Sequence, residues 1–307
     1  SSADGGSSGA SGPRDGQSAP RRERAMPSVT APVDVVTLPE LTITEYFGNA
    51  STKDAQISAA HVKINAATEE DWQTPEFDEY VLITSGEVHI RHAGGKTVVR
   101  EGSGVFLRAG LRVKWVFPGP CSYVPICLPA FSPENVNREE GDAAAKAEPE
   151  PAAPAAEPAG PEVVAPVDVV AAKDLTITEY FGHVASKDGT LSACLATVSA
   201  PCAEAYQAPD FDEYVMVLSG EVHLRQDEGV TVVKEGQAVF LKAGERVKWE
   251  WPGACTYVPI CLPAFSPANC HREEEAGAAK DKAAMDRLHA LHAGDEAAKA
   301  PDVQLGA

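Results

Sequence analysis

Gln73-Thr-Pro-Glu-Phe-Asp-Glu-Tyr80 runs directly into Val81-Leu-Ile-Thr-Ser-Gly-Glu-Val88, and the design returns as Gln207-Ala-Pro-Asp-Phe-Asp-Glu-Tyr214 followed by Val215-Met-Val-Leu-Ser-Gly-Glu-Val222. In both places a polar, acidic corner feeds an apolar strand that ends at a Gly-Glu turn. Outward from it, Glu45-Tyr-Phe-Gly48 matches Glu179-Tyr-Phe-Gly182, and Pro125-Ile-Cys-Leu-Pro-Ala-Phe-Ser-Pro133 matches Pro259-Ile-Cys-Leu-Pro-Ala-Phe-Ser-Pro267. Every pair is separated by 134 positions, so no insertion or deletion divides the copies. One folded unit has been duplicated, and two copies are too few for a solenoid.

Within each copy apolar residues alternate with period two, the pattern of half-buried strands. In the first copy the alternation predicts strands over residues 41–47, 56–64, 79–83, 87–91, 96–100, 104–107, 112–117 and 123–127. Turn signals separate them: Thr84-Ser-Gly86, Ala93-Gly-Gly95, Glu101-Gly102, Ala109-Gly110 and Pro118-Gly-Pro120. Many short strands at this spacing, uninterrupted by helix, define an all-β antiparallel sandwich or barrel.

The 307 residues divide accordingly. Residues 1–30, rich in Ser, Gly, Pro and Arg, read as a disordered N-terminal segment. Residues 31–140 form the first domain and 163–275 the second. Between them, residues 141–162 are a stiff Ala/Pro/Glu linker. Residues 276–307 are an Ala-rich tail in which 278–293 could form one short helix, with Met285, Leu288 and Leu291 on a face.

A net charge of −19 argues against nucleic acid or an anionic membrane as a partner. No run of about eighteen apolar residues is present to span a bilayer. Seven cysteines cannot all pair within one chain, and none forms a Cys-x-x-Cys motif. They read as buried or free thiols in a reducing compartment. The expected location is therefore intracellular, cytoplasmic or organellar. The Arg- and Ser-rich, acid-poor opening leaves a plastid transit remnant open, and it lacks the apolar core of a secretory signal.

Each copy resembles a cupin, the small jelly roll of the RmlC-like superfamily, so the whole resembles a bicupin. The first cupin motif, Gly-x5-His-x-His-x3/4-Glu-x6-Gly, aligns its Glu and last Gly with Glu79 and Gly86, and with Glu213 and Gly220. The second, Gly-x5-Pro-x-Gly-x2-His-x3-Asn, aligns its glycines with Gly102 and Gly110, and with Gly236 and Gly244. The Phe-Asp-Glu-Tyr entry and the Pro-Ile-Cys-Leu-Pro tail are most similar to ethanolamine-utilisation-type cupins. The cupin module of ureidoglycine aminohydrolase is a looser likeness. The resemblance implies two tandem barrels that pair within one chain, with a homo-oligomer also open.

The family's metal site uses three His and a Glu, and here only the Glu remains. Where His-x-His is expected the chain has Trp72-Gln-Thr-Pro75 and Tyr206-Gln-Ala-Pro209, and Val113 and Val247 stand at the second-motif His. Arg108 and Lys242 replace its Pro, and Phe117 and Trp251 its Asn. One carboxylate and one amide make a poor set for a transition metal. No cofactor is expected, and any weakly held divalent ion would fall to Gln73, Glu79 and Cys127, or to Gln207, Glu213 and Cys261.

Strand alternation puts Val113, Trp115 and Phe117 on the inward face, and Val247, Trp249 and Trp251 likewise. These aromatics either fill the core of a small barrel or line an apolar pocket with a few placed polar groups. The candidate ligand-binding residues are Gln73, Trp115, Tyr123 and Cys127, with Gln207, Trp249, Tyr257 and Cys261. Glu79 and Glu213 are the candidate acid/base groups, because a carboxyl facing an apolar interior has a raised pKa. Glu76, Asp78, Asp210 and Asp212 read as a solvated acidic rim. Cys127 and Cys261 could replace a lost ligand or act as nucleophiles, yet no duplicated His lies near to activate them. His89 and His223 alternate out of phase with Glu79 and face away. Arg112, Lys114, Arg246 and Lys248 also point outward, to solvent or to acids of the partner domain.

Three functions stay open. The first is a non-classical bicupin that binds a small polar organic ligand in one or both barrels without the usual metal site. The second is a lyase, isomerase or hydrolase using a barrel Glu with a weakly held divalent metal. The third is a structural or regulatory scaffold whose barrels are filled.

Overall fold

The computed structural model describes residues 27–139, 160–274 and 282–299. The first repeat contains β1 (Ser28–Thr30), β2 (Val33–Thr37), β3 (Leu41–Phe47), β4 (Ser58–Ile64), β5 (Thr68–Glu69) and β6 (Asp78–Ser85). It continues through β7 (Glu87–His92), β8 (Gly95–Arg100), β9 (Gly104–Leu107), β10 (Lys114–Phe117) and β11 (Cys121–Leu128). The second repeat has β12 (Glu162–Val164), β13 (Val167–Ala171), β14 (Leu175–Phe181), β15 (Ser192–Val198), β16 (Cys202–Ala203) and β17 (Asp212–Ser219). Then come β18 (Glu221–Gln226), β19 (Gly229–Lys234), β20 (Ala238–Leu241), β21 (Lys248–Trp251) and β22 (Cys255–Leu262).

Each repeat folds as a jelly roll of two facing antiparallel sheets. In the first, a seven-stranded sheet ordered β12-β9-β6-β11-β4-β3-β2 faces a four-stranded sheet ordered β5-β10-β7-β8. The second repeats this as β1-β20-β17-β22-β15-β14-β13 facing β16-β21-β18-β19. The outer strand of each large sheet comes from the other repeat. β1 pairs with β20, Val29 opposite Val239, and β12 pairs with β9, Val163 opposite Val105. This reciprocal exchange covers one edge of each sheet, edges that would otherwise invite another chain. It also corrects two expected boundaries. Ser28–Thr30, read as part of the disordered leader, and Glu162, read as linker, are strand residues recruited by open edges across the molecule. The remainder of the expected leader and linker, residues 1–26 and 140–159, lies outside the described residues.

Burial on both faces explains the run Tyr80-Val81-Leu82-Ile83. Val81 and Ile83 point into the barrel, where they meet Val88, Ile90 and Trp115. Tyr80 and Leu82 point outward into a second apolar core shared by the repeats. There Phe47 meets Tyr214 edge-on at 5.2 Å, and Phe181 meets Tyr80 in the same geometry at 5.2 Å. The hydroxyls are satisfied across the same boundary. Tyr80 donates to Asp188 at 3.0 Å and Tyr214 to Asp54 at 3.3 Å. The two barrels therefore pair within the chain as a pseudo-dimer.

The Glu-Tyr-Phe-Gly motif builds this junction. The Glu45 carboxylate accepts from the Ala50 and Ser51 amides at 2.8 and 2.7 Å, and Glu179 accepts from Val184 and Ala185 at 2.7 and 2.8 Å. Gly48 has φ of +139°, and a Cβ there would sit 2.8 Å from the Glu45 carboxyl carbon. Gly95 also has positive φ (+119°) but open space around it. Gly48→Ala should therefore lower the thermal midpoint clearly more than Gly95→Ala, because only the former adds a clash to backbone strain of about 1–3 kcal/mol. Equal losses in calorimetry would show that the Glu45 cradle adds nothing.

The tail helix α2 spans Lys282–His292, after the one-turn α1 (Pro267–Cys270). Leu288 and Leu291 bury against Val169 and Val184, with Met285 alongside. No helix among the described residues is long and apolar enough to cross a membrane.

Candidate ligand site in the barrels

The interior of each barrel is an aromatic stack with a carboxyl at its mouth. Trp115, Phe117 and Tyr123 lie nearly parallel, at 6.3, 6.0 and 5.6 Å between ring centres. Trp249, Trp251 and Tyr257 repeat the stack at 6.0, 6.0 and 5.7 Å. Val113 and Val247, at the positions of the expected imidazoles, are buried in the same two clusters. Alternation along β10 and β21 dictates this, since every second residue turns inward.

Glu79 on β6 stands opposite Cys127 on β11 and Leu107 on β9, and Glu213 stands opposite Cys261 and Leu241. Glu213 is buried at 8% exposure, whereas Glu79 keeps a partial opening to solvent. Burial raises the Glu79 carboxyl to about 8, with the nearby Glu70 adding to the rise and Arg138 opposing it. Glu213 rises to about 8 from burial, then from Glu204. The same burial, followed by the adjacent carboxyl, pushes the Cys127 and Cys261 thiols well above their ordinary range. Burial therefore favours the thiol over the thiolate and disfavours both as unassisted nucleophiles.

Gln73 and Gln207 occupy the lost His-x-His segment. Each exchanges two backbone hydrogen bonds at 2.9 Å with the inward valine, Val113 or Val247. Both amides are buried at 5% exposure. The Gln207 oxygen accepts from the Cys270 thiol at 3.0 Å. The first repeat has Val136 there, and the buried Gln73 oxygen has no partner among the described residues.

Sequence reasoning missed a duplicated ion pair at each mouth. Arg138 donates to Glu70 at 3.1 Å, and Arg272 to Glu204 at 2.8 Å. The signal was present, since all four residues obey the 134-position offset. They lie beyond the segments where sequence identity between the copies is dense.

The outward cations need a correction. Arg112 was expected to face solvent or pair across domains, but it binds Glu139 of its own repeat through two bonds of 2.6 and 2.7 Å and lies 4.0 Å over Trp72. Arg246 treats Glu273 and Tyr206 in the same way, and Lys114 pairs with Glu69 at 2.7 Å. The cause is local. Glu139 donates its amide to the Trp72 carbonyl at 2.8 Å, which lays the end of the repeat beside the mouth. The acidic rim is also tied down: Asp78 accepts from Ala109 at 2.8 Å, and Glu76 accepts from Asn137 at 3.0 Å. His89 and His223 pair with Glu87 and Glu221 on the outer face.

The donors are a poor match for the family's transition-metal site: each barrel offers one carboxyl, one thiol and one amide where three imidazoles and a carboxylate are expected, and an amide oxygen is a weak ligand for such ions. No three His, Cys, Asp or Glu groups among the described residues converge in a geometry that could hold an ion.

Two jelly rolls in tandem, exchanging edge strands around a shared core, define the chain as a bicupin. Both repeats match the EutQ-like cupin domain, over residues 54–121 and 187–254, so the chain carries two EutQ-like cupin domains. The fold is similar to oxalate decarboxylase from Bacillus subtilis, with a TM-score of 0.55 at 11% identity over 74% of this chain and 73% of that one. It is also similar to AerE from Microcystis aeruginosa, with a TM-score of 0.53 at 9% identity over 76% of this chain and 98% of the other. Among curated proteins, the endoribonuclease YbeY of Myxococcus xanthus is 36% identical over 101 residues. That match spans 32% of this chain and 34% of the relative, so only about a third of the relative's length is represented.

Proposed function

We propose that this bicupin binds a small polar organic molecule at the mouth of one or both barrels, without the three-His/Glu metal site. One observation carries the reading: each barrel keeps one glutamate on its inward strand face, Glu79 opposite Cys127 or Glu213 opposite Cys261, beside the stacked aromatic rings, where burial raises its pKa. A side chain that costs stability in a filled core has a use when it meets a ligand. Trp115, Tyr123 and Gln73, with their copies Trp249, Tyr257 and Gln207, would supply the apolar wall and the polar contact. The alternative reading is a lyase, isomerase or hydrolase that uses the barrel Glu with a weakly held divalent metal; one solved structure of similar fold concerns the Mn(II) centres of Bacillus subtilis oxalate decarboxylase. The buried thiols of Cys121, Cys127, Cys194, Cys255, Cys261 and Cys270 support a reducing, intracellular location.

A thermal-shift screen of small metabolites tests this. A ligand of the folded state should raise the melting midpoint by an amount that grows with its concentration. Glu79→Gln or Glu213→Gln should cancel the rise. A panel without effect would favour the filled scaffold. A midpoint raised by one equivalent of Fe or Mn per barrel would revive the metal enzyme.

A further inference from the structure

Away from the exchanged strand, each large sheet ends in a second edge strand, β2 in the first repeat and β13 in the second. Both begin Val-Asp-Val-Val, yet they are covered differently. On β13, α2 buries Leu288 and Leu291, with Met285 beside them, over a floor of Val167, Val169, Val170, Ile177, Val184 and Phe265. The 134-position offset carries that floor to Val33, Val35, Val36, Ile43, Ala50 and Phe131, so five of its six residues are identical in the first repeat. Val169 is 4% exposed beneath the helix, whereas Val35 is 43% exposed. Val33 is 39% exposed, and Leu38, which stands where the second repeat has Ala172, is 50% exposed.

The polar fixings of the helix are duplicated as well. Arg287 of α2 donates to the Asp168 carbonyl, and Asp34 holds the same place on β2. The Asp168 carboxylate accepts from Thr178 at 2.7 Å, as that of Asp34 does from Thr44 at 2.7 Å, so the two strands share this local bond. Lys187 reaches Glu296, just beyond α2, at 3.4 Å, and its copy Lys53 keeps the same backbone, with φ of +60°.

The sequence supplies no second α2 for this face. The stretch at its duplicate position, residues 148–158, contains four prolines and no Leu, Met, Ile or Val. Proline inside a helix removes a hydrogen bond and clashes with the preceding turn. An exposed apolar edge strand is otherwise a template for unwanted pairing.

We propose that the open face of β2 is a docking site for an amphipathic helix of a partner protein, with aliphatic side chains at i, i+3 and i+6 and a basic residue among them. That is the chemistry α2 brings to the matching floor on β13, where Arg287 lies between Met285 and Leu288. The net charge of −19 favours a partner segment carrying such a cation.

The probe is a synthetic peptide of residues 282–299, held helical by a lactam between Lys282 and Asp286, an exposed i,i+4 pair at 2.6 Å. It is titrated into the isotope-labelled full chain, and the valine and leucine methyl NMR signals are read. Val33, Val35 and Leu38 should shift saturably, with one peptide bound per chain. Val169 and Val184 should stay still, because the tethered α2 holds them at high effective concentration. Val35→Lys in the chain, or Leu288→Lys in the peptide, should weaken binding about tenfold or more. Val35→Lys should leave the melting midpoint in place, since the side chain it replaces is exposed. Shifts confined to Val169 and Val184 overturn the proposal, because the peptide then only displaces the tail. The absence of saturable shifts at all of these methyls overturns it too. Shifts at Val33 and Val35 that follow chain concentration without peptide, and that peptide does not reverse, overturn the helix and make β2 a contact between two copies.

Discussion

Phe181→Ala should lower the stability of the whole chain by about 3–5 kcal/mol. Phe181 is 0% exposed and belongs to the second repeat, yet its ring meets Tyr80 of the first edge-on at 5.2 Å. It also fills the space above Gly104, where a Cβ would fall 3.0 Å from the ring. Truncation leaves a cavity at the junction that neither barrel can close alone, because both walls are strands fixed by their ladders. The loss should therefore reach both repeats. Urea unfolding followed by tryptophan fluorescence reads this, since each barrel carries two of the four tryptophans. A shift confined to Trp249 and Trp251, with the first repeat unmoved, would show that the repeats fold independently.

Stability should also fall as pH rises, the reverse of the usual carboxylate trend. Glu79 and Glu213 sit near 8 when folded, against an ordinary value of 4.5. Between those values the folded state holds protons that the unfolded state has released. Each carboxyl therefore disfavours folding progressively from about pH 4.5 to about pH 8, by on the order of a few kcal/mol, and adds no further slope above that window. Glu79→Gln and Glu213→Gln remove the ionisation and should flatten the curve. Each should raise the midpoint at pH 9 and leave it nearly unchanged at pH 4.5. Midpoints in urea across pH 4–9 check the sign, and a wild-type curve that rises toward pH 8 would contradict it.

The architecture was readable in the chain because duplication doubles every signal. The expected strand at 41–47 is β3 and that at 104–107 is β9, with the others displaced by a residue or two. The inward aromatics were readable because alternation allows only two faces. What escaped depended on contacts between the copies. Ser28–Thr30 and Glu162–Val164 have no local reason to be strands, and only the open edge on the opposite barrel makes them so. The run from Tyr80 to Ile83 gave no sign of which side met the partner. The Glu70–Arg138 pair was hidden differently, since 68 positions separate partners that meet only once the end of the repeat folds back beside Trp72.

The ligand reading rests on one protonated glutamate beside the aromatic stack of each barrel, with the Glu70–Arg138 or Glu204–Arg272 pair close by. Titrating the side-chain carboxyl carbons of Glu79 and Glu213 by NMR in the isotope-labelled full chain asks this most directly. Midpoints near 8 for both are the predicted result. Midpoints near the ordinary 4.5 would place these groups in water or on a cation, and would contradict it.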